Sequence, residues 1–309
     1  RVLVMETSWS GLMRIVIGGA SCLIGSALAK HLRANGHAVC KLTRSGGAKG
    51  DVPWDPLAGS FDAATLSGTD VLIHLSGEGV ASGRWTPGKK LAIRESRVKS
   101  TQLLASALAS ILDPPKMWLC ASAIGWYGDR GDEWLDEDAA PGEGFLAGVC
   151  AEWEAATKPA KDAGIRVVNL RFSVVLSPDG GAFKQMMSAF KMGVGGVIGS
   201  GGQFVSWITL NDAVRAMLHA LDNPFVQGPI NIASPNPVTN RELTKILGRV
   251  LRRPTIIPMP AFLARIAFGE MADEMFLAST RVRPKRLVDS GFAFDTPEFE
   301  PAIRSMLGR

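Results

Sequence analysis

Apolar positions in this chain fall into short continuous runs separated by stretches of helical spacing. Arg14–Gly18 is a β-branched run that suits a buried parallel strand. Gly19, Ala20, Ser21 and Cys22 make a tight turn. Leu23 to Ala34 then sets Leu23, Ala27, Leu28 and Leu32 at helical spacing, and Asn35-Gly36 stops it. His37 to Thr43 resumes a strand, and Val52 to Trp54 suits a short third one. Asp70–Leu75 is a buried strand ending at Ser76-Gly77-Glu78. Pro87 opens a long helix through Ile111. Lys116–Ala121 is a strand that breaks into Ser122–Gly128. An acidic, glycine-rich loop over Asp129–Gly144 leads to a helix over Phe145–Lys161 and a strand over Ile165–Phe172.

Strands alternating with helices at this spacing predict an α/β fold, a Rossmann-type doubly wound parallel sheet. Ligands then bind outside the carboxyl ends of the strands. From Ser173 the texture changes. Glycines crowd 180–202, which reads as a loop region able to wrap a ligand. Val205–Leu210 suits a strand, and Asn211-Asp212 caps a helix to Leu221, a capping role for Asp212 rather than a catalytic one. Pro229–Ile232 is a strand, Thr239–Leu251 a helix, Pro260–Ala278 one or two helices, and Pro301–Leu307 a last one. The expected division is a tail over 1–12, a dinucleotide-binding domain over 13–172, and a smaller C-terminal α/β substrate lobe over 173–309, with 205–231 returning to the main sheet.

Composition narrows this picture only a little. The chain has 309 residues, 46% of them hydrophobic, enough for a sizeable core. Mean hydropathy is +0.13, and no apolar run reaches membrane-spanning length. The net charge is +5, without a dense Lys/Arg block, so neither nucleic acid nor a membrane is the expected partner. Cys22, Cys40, Cys120 and Cys150 show no metal spacing and read as reduced thiols of a cytoplasmic protein. The four histidines form no ligand pair, so no metal site is expected.

The first turn carries the chemistry. A strand feeding small residues at a helix N-terminus suits a pyrophosphate, because backbone N–H groups and the helix dipole face the anion. The spacing is G-x-x-G-x-x-G, but Cys22 takes the middle position between Gly19 and Gly25. Its Cβ and sulfur are expected to crowd the ligand. An NAD-type site wants a carboxylate about 20 residues on. Between Thr7 and Gly50 there is none, and Lys41 and Arg44 end the second strand instead. A guanidinium there suits a 2′-phosphate, so the expected cofactor is NADP(H). The candidate cofactor residues are Gly19, Ser21, Cys22, Leu23, Ile24, Gly25 and Arg44, with Leu75, Ser76, Gly77 and Glu78 at the later strand end. An ordinary βαβ unit with a surface Arg is the plainer alternative.

The chain resembles the extended short-chain dehydrogenases/reductases, and within them the NAD-dependent epimerase/dehydratase subgroup called "epimerase family protein". The matching stretches are GASCLIG (19–25), HLSGEGVASGRWT (74–86), ESRVKSTQLL (95–104), SAIGWYGDRGD (122–132) and GFLAGVCAEWE (144–154). They continue with GSGGQFVSWITLND (199–212), GPINIASPNPVTN (228–240), GEMADEMFLASTRVRPKRL (269–287) and GFAF (291–294). The resemblance implies NADP(H) at the Gly19–Gly25 turn, with Cys22 a departure from the family's Gly.

Short-chain dehydrogenases at large use a Tyr-x-x-x-Lys dyad, in which the Tyr handles a proton and the Lys lowers its pKa, and the resemblance to this subgroup implies that the dyad is absent. The single tyrosine, Tyr127, is followed four residues later by Gly131. On the expected dyad helix, matching at Glu154 puts Leu146 and Cys150 in the two roles. The remaining catalytic candidates are Ser122, where the family has its carbonyl-orienting hydroxyl, and Tyr127, with Arg97, Arg171 or Lys285 as a cation to lower its pKa. A packed, hydrogen-bonded Tyr127 competes evenly with that role. Arg171, Gln203 and Trp207 are substrate candidates, although burial suits Trp207 better. The run Arg281, Arg283, Lys285, Arg286 reads as a solvated basic face rather than a phosphate site.

Two functions stay open. One is an NADP(H)-dependent oxidoreductase or epimerase acting on a small anionic or nucleotide-linked substrate. The other is a non-catalytic NADP(H) sensor that signals to a protein partner, with cell division as one setting the resemblance implies. A homodimer through the long helices is likewise left open.

Overall fold

The computed structural model describes residues 11–44 and 47–309. The expected tail therefore lies outside the described residues, except for Gly11 and Leu12. The strands in chain order are β1 (Arg14–Gly18), β2 (Ala38–Thr43), β3 (Val52–Asp55), β4 (Ser60–Phe61), β5 (Val71–His74), β6 (Met117–Ala123), β7 (Trp134–Leu135), β8 (Arg166–Phe172), β9 (Val174–Leu176), β10 (Phe204–Val205), β11 (Trp207–Thr209), β12 (Gly228–Ile232), β13 (Val238–Thr239) and β14 (Arg281–Val282). The helices are α1 (Leu23–Ala34), α2 (Pro87–Ser110), α3 (Phe145–Ala155), α4 (Lys158–Asp162), α5 (Gly181–Lys191), α6 (Leu210–Asp222), α7 (Asn240–Leu251), α8 (Ala261–Phe268), α9 (Lys285–Asp289) and α10 (Phe299–Leu307).

Eight strands form the main sheet in the order β12-β8-β6-β5-β1-β2-β3-β4. All neighbours run parallel except β3 and β4. The central strands are continuously apolar because helices cover both faces. One face packs on α1 and α6 around Ile15, Ile17, Leu28, Ile73 and Met217. The other packs on α2 and α4 around Val16, Leu72, Leu104 and Trp118. The chain leaves β1 toward β2 on one side and returns through β5 on the other. That reversal opens the crevice where open α/β sheets bind ligands. A further core joins β9, β11, α5, α7 and α10 around Phe183, Trp207, Leu247 and Phe299. No helix among the described residues is long and apolar enough to cross a membrane.

Several local expectations need correction. The stretch 180–202 is not all loop, since α5 occupies Gly181–Lys191 and buries Phe183, Met187 and Phe190. Their i, i+4, i+7 spacing is a helix signal that the flanking glycines obscured. The helix expected over Phe145–Lys161 divides into α3 and α4. Pro159 lacks the N–H that would bond the Ala155 carbonyl, and the Thr157 hydroxyl takes the Glu154 carbonyl instead. Thr209, not Asn211-Asp212, caps α6, with its Oγ1 accepting the Asp212 N–H at 3.0 Å. The Asp212 carboxylate is buried and accepts the Asp295 and Thr296 N–H groups, so it ties the C-terminal segment to α6. Of the stretch 205–231, Gly228 onward enters the main sheet as β12, while β11 pairs with β9 outside it.

His74 closes β5 in full burial. Its Nε2 meets Ser100 Oγ at 3.0 Å, and its Nδ1 has no partner. Burial lowers its pKa to about 4. The unfolded chain therefore takes up a proton near pH 6.5 that the fold refuses, and stability falls as the pH drops from there toward 4. Between pH 7 and pH 5 the wild type should lose about 2 kcal/mol more than His74→Gln. Urea unfolding of both proteins at the two pH values measures this, and equal losses would contradict it.

Candidate functional site

The turn after β1 is shaped by contacts within the chain. Gly19 has φ +80°, and a Cβ there would lie 2.9 Å from the Leu75 carbonyl carbon. A Cβ on Gly25 would lie 2.2 Å from the Gly19 oxygen. Both glycines are thus required by packing alone. Cys22 differs. It is the N-cap of α1 at φ −75°, an extended conformation open to any residue. Its side chain makes no capping bond, and the first turn of α1 carries no acid. The Leu23, Ile24 and Gly25 amides therefore have neither a helical acceptor nor a side-chain cap.

Two cavities meet at Cys22. One, of about 580 Å³, is lined by Gly19, Ser21, Arg44, Trp54, Ser76 and Glu78. The other, of about 480 Å³, runs past the ends of β6 and β8 to the C-terminal segment. Its wall is mainly apolar, with Val80, Ile124, Leu146, Phe172, Phe204 and Met275. Every residue singled out for the cofactor lines one cavity or the other. Glu78 is salt-bridged to Lys89 at 2.5 Å, and this bond holds its carboxyl below the usual range, with Arg97 and Arg44 adding to the effect.

The catalytic candidates are placed differently. Ser122 lies at the wall of the smaller cavity but is 2% exposed, and its hydroxyl donates to Glu154 Oε1 at 2.7 Å. Tyr127 is fully buried and is absent from both cavity walls. Its hydroxyl donates to Asn231 Oδ1 at 2.8 Å and accepts from Arg171 Nη1 at 3.0 Å. Burial pushes the phenol up to about 12, against the pull of Arg171. A phenol so held has no access to a ligand, which corrects the proton-transfer role expected of it. Of the three cations considered, Arg171 reaches Tyr127, Lys285 pairs with Asp138, and Arg97 faces the smaller cavity.

Arg171 and Glu154 form a buried ion pair, 2% and 9% exposed. Nε and Nη2 of Arg171 reach the two carboxylate oxygens at 2.8 and 3.0 Å. Burial opposes the guanidinium charge, but the bonds and charge of Glu154 outweigh it and raise the Arg171 pKa. The ring of Trp126 lies 4.0 Å from the guanidinium carbon. Arg171 therefore meets protein on every side, and the substrate role expected of it does not fit this placement. Gln203 is buried and donates to the Ile198 and Phe276 carbonyls, while Trp207 is core and donates to the Asn236 carbonyl. Neither lines either of these two cavities. Arg283, Lys285 and Arg286 are paired with Asp136 and Asp138, and Arg281 lies over the Trp134 ring at 4.0 Å.

Leu146 and Cys150, at the expected dyad positions, do line the smaller cavity. Burial pushes the Cys150 thiol up to about 12, and Glu154 adds to this. Glu274 also lines it, with its carboxylate accepting the Phe145 and Leu146 amides at 2.6 and 2.7 Å. A segment from the end of the chain thus caps α3. Glu274 lies in the matching stretch 269–287, but nothing local marks its role, since its partners are about 130 residues away.

This arrangement defines a dinucleotide-binding doubly wound α/β protein with a second cavity beyond the pyrophosphate turn. The model of the NAD dependent epimerase/dehydratase family matches residues 15–233, and a domain of unknown function, DUF1731, matches 259–306. The chain belongs to the NAD dependent epimerase/dehydratase family. It is 42% identical over 281 residues to epimerase family protein Mb2239 of Mycobacterium bovis, covering 91% of this chain and 93% of that one. It is 34% identical over 298 residues to the human epimerase family protein SDR39U1, covering 96% and 100%. A crystal structure of human SDR39U1 with NADPH superimposes with a TM-score of 0.87 at 33% identity, covering 96% of this chain and 100% of that one. A nucleoside-diphosphate sugar epimerase from Corynebacterium glutamicum gives 0.80 at 36% identity, and this chain, 96% of it matched, spans 59% of that protein's length.

Removing one partner of the buried pair leaves a charge stranded in the core. Glu154→Ala should cost about 3–5 kcal/mol of stability. Urea unfolding tests this, and a loss under 1 kcal/mol would contradict it.

Proposed function

We propose that this chain binds NADP(H) along the two cavities and serves as a hydride-transferring oxidoreductase for a small ligand held in the smaller one. The observation that carries the reading is the uncapped N-terminus of α1 at Cys22, where the two cavities meet, with Arg44 on the wall of the larger one. The residues present fit a phosphorylated dinucleotide. The Leu23, Ile24 and Gly25 amides suit the pyrophosphate, and Arg44 at the end of β2 suits a 2′-phosphate. The NADPH held by human SDR39U1, a relative matched along its whole length, supports the same choice.

When bound, this cofactor supplies or accepts a hydride at its nicotinamide. The chain's own residues would bind the dinucleotide, exclude water with the apolar wall and present the ligand beside Ser122. With Leu146 and Cys150 at the dyad positions, the Ser122 hydroxyl committed to Glu154 and Tyr127 sealed in the core, none of these side chains is free to move a proton at neutral pH. Water or the ligand itself would fill that role. The same fact favours a second reading, a sensor that binds NADP(H) and a ligand without turnover. Steady NADPH oxidation with a panel of carbonyl compounds separates the two readings.

Calorimetric titration tests the cofactor assignment. NADPH should bind at micromolar strength, about 8 kcal/mol, and NADH at least tenfold more weakly. Arg44→Ala should remove most of that preference at a cost of about 1.4 kcal/mol in NADPH binding. Cys22→Gly should bind NADPH as tightly or more tightly, since the backbone at position 22 does not need a glycine. Equal binding of NADPH and NADH by the wild type would overturn the Arg44 assignment.

A further inference from the structure

The smaller cavity contains one cation among the described residues, Arg97. Arg97 stands on the inward face of α2, in register with Ile93, Ser100, Thr101 and Leu104, all of which are buried. Its guanidinium carbon lies 5.1 Å from the centre of the Trp153 ring. That ring is itself fixed, with its N–H donating to Thr101 Oγ1 at 2.9 Å. The guanidinium also abuts Gly77, where a Cβ would lie 3.3 Å from Cζ. The side chain is thus held against an indole and a backbone.

Its hydrogen bonds are few. Nη1 donates to the Ile93 carbonyl at 3.0 Å and makes a long contact with Ser96 Oγ at 3.5 Å. Nε and Nη2 make no hydrogen bond, and Arg97 forms no salt bridge among the described residues. The nearest carboxylate acting on it, Glu78, is bonded to Lys89. Burial lowers the Arg97 pKa, with Cys150 and Glu78 acting the other way. A partly buried guanidinium with unused donors is costly unless an anion meets it, and a planar fork matches a carboxylate. The one acidic group on this cavity's wall among the described residues, Glu274, already accepts two amides.

We propose that Arg97 is the anchor for a small ligand with one carboxylate head and an apolar body, held in the smaller cavity. This rests on the reading of that cavity as the ligand site beside the cofactor. One guanidinium in an apolar wall suits a single anionic head and a hydrocarbon or aromatic body. It does not suit the several charges of a nucleotide-linked sugar.

The test compares benzoate with benzamide, two probes of equal shape that differ in charge. Saturation-transfer NMR is run on the full chain, with and without NADPH. The wild type should bind benzoate at least tenfold more tightly than benzamide. Arg97→Gln should lose that preference and keep its NADPH affinity, and Arg97→Lys should retain part of it. Benzoate and benzamide binding alike in the wild type would overturn the proposal. So would a tenfold loss of NADPH affinity in Arg97→Gln, which would make Arg97 a cofactor residue. If Arg97→Gln does not fold, the wild-type preference and its competition by formate decide the matter. If NADPH fails to bind the wild type, the cofactor reading falls, and the benzoate preference of the unliganded protein still decides Arg97.

Discussion

The buried pair of Arg171 and Glu154 is the constraint on which the cleft depends. It joins β8 to α3, and through the Ser122 hydroxyl it reaches β6, whose Ser122 stands opposite Arg171 in the parallel register. Arg171 also holds the Tyr127 phenol, which holds Asn231 of β12 in turn. Four elements at the carboxyl edge of the sheet are thereby fixed to one charge pair. A pair this buried gains little net stability, because desolvation offsets attraction, but its geometry is specific. Its removal from either side leaves the other charge without water or a partner. The position of the cavity wall at Ser122 and Ala123 follows from that requirement.

The same network explains why two plausible catalytic side chains are not available. A serine at a strand end and a tyrosine in the following loop look, in one dimension, like groups facing a ligand. Their actual partners lie 32 and 104 residues away. Side-chain direction at a strand end is set by such partners rather than by neighbours in sequence. By contrast, the first βαβ unit was legible. Its strand, turn and helix are local, and the steric demands on Gly19 and Gly25 arise within a few residues or from the adjacent strand. The glycine-rich stretch before β10 misled for the opposite reason, because glycine density outweighed the spacing of Phe183, Met187 and Phe190. Arg97 entered the sequence reading only as a candidate cation for Tyr127, and only the fold shows that it stands on a buried face of α2 that borders a cavity.

The two cavities follow different physical rules. The one under the first turn carries Arg44, Glu78, Glu95 and the hydroxyls of Ser21, Ser76 and Ser96 on its wall, so it selects charge and hydrogen bonds. The other is built of side chains from β6, β8, α3 and the C-terminal segment, so it selects shape, and charge only where Arg97 stands. Glu274 makes that second wall dependent on the end of the chain, since its carboxylate fills the N-terminus of α3. The part of the sequence matched by the domain of unknown function therefore completes the ligand cavity. Leu146 and Cys150, at the positions expected for the dyad, give the wall apolar surface and a thiol that burial pushes up to about 12. Under the proposed function such a cavity would still place a ligand against a hydride donor. The usual positions would offer that ligand no proton, which would come from water or from the ligand itself.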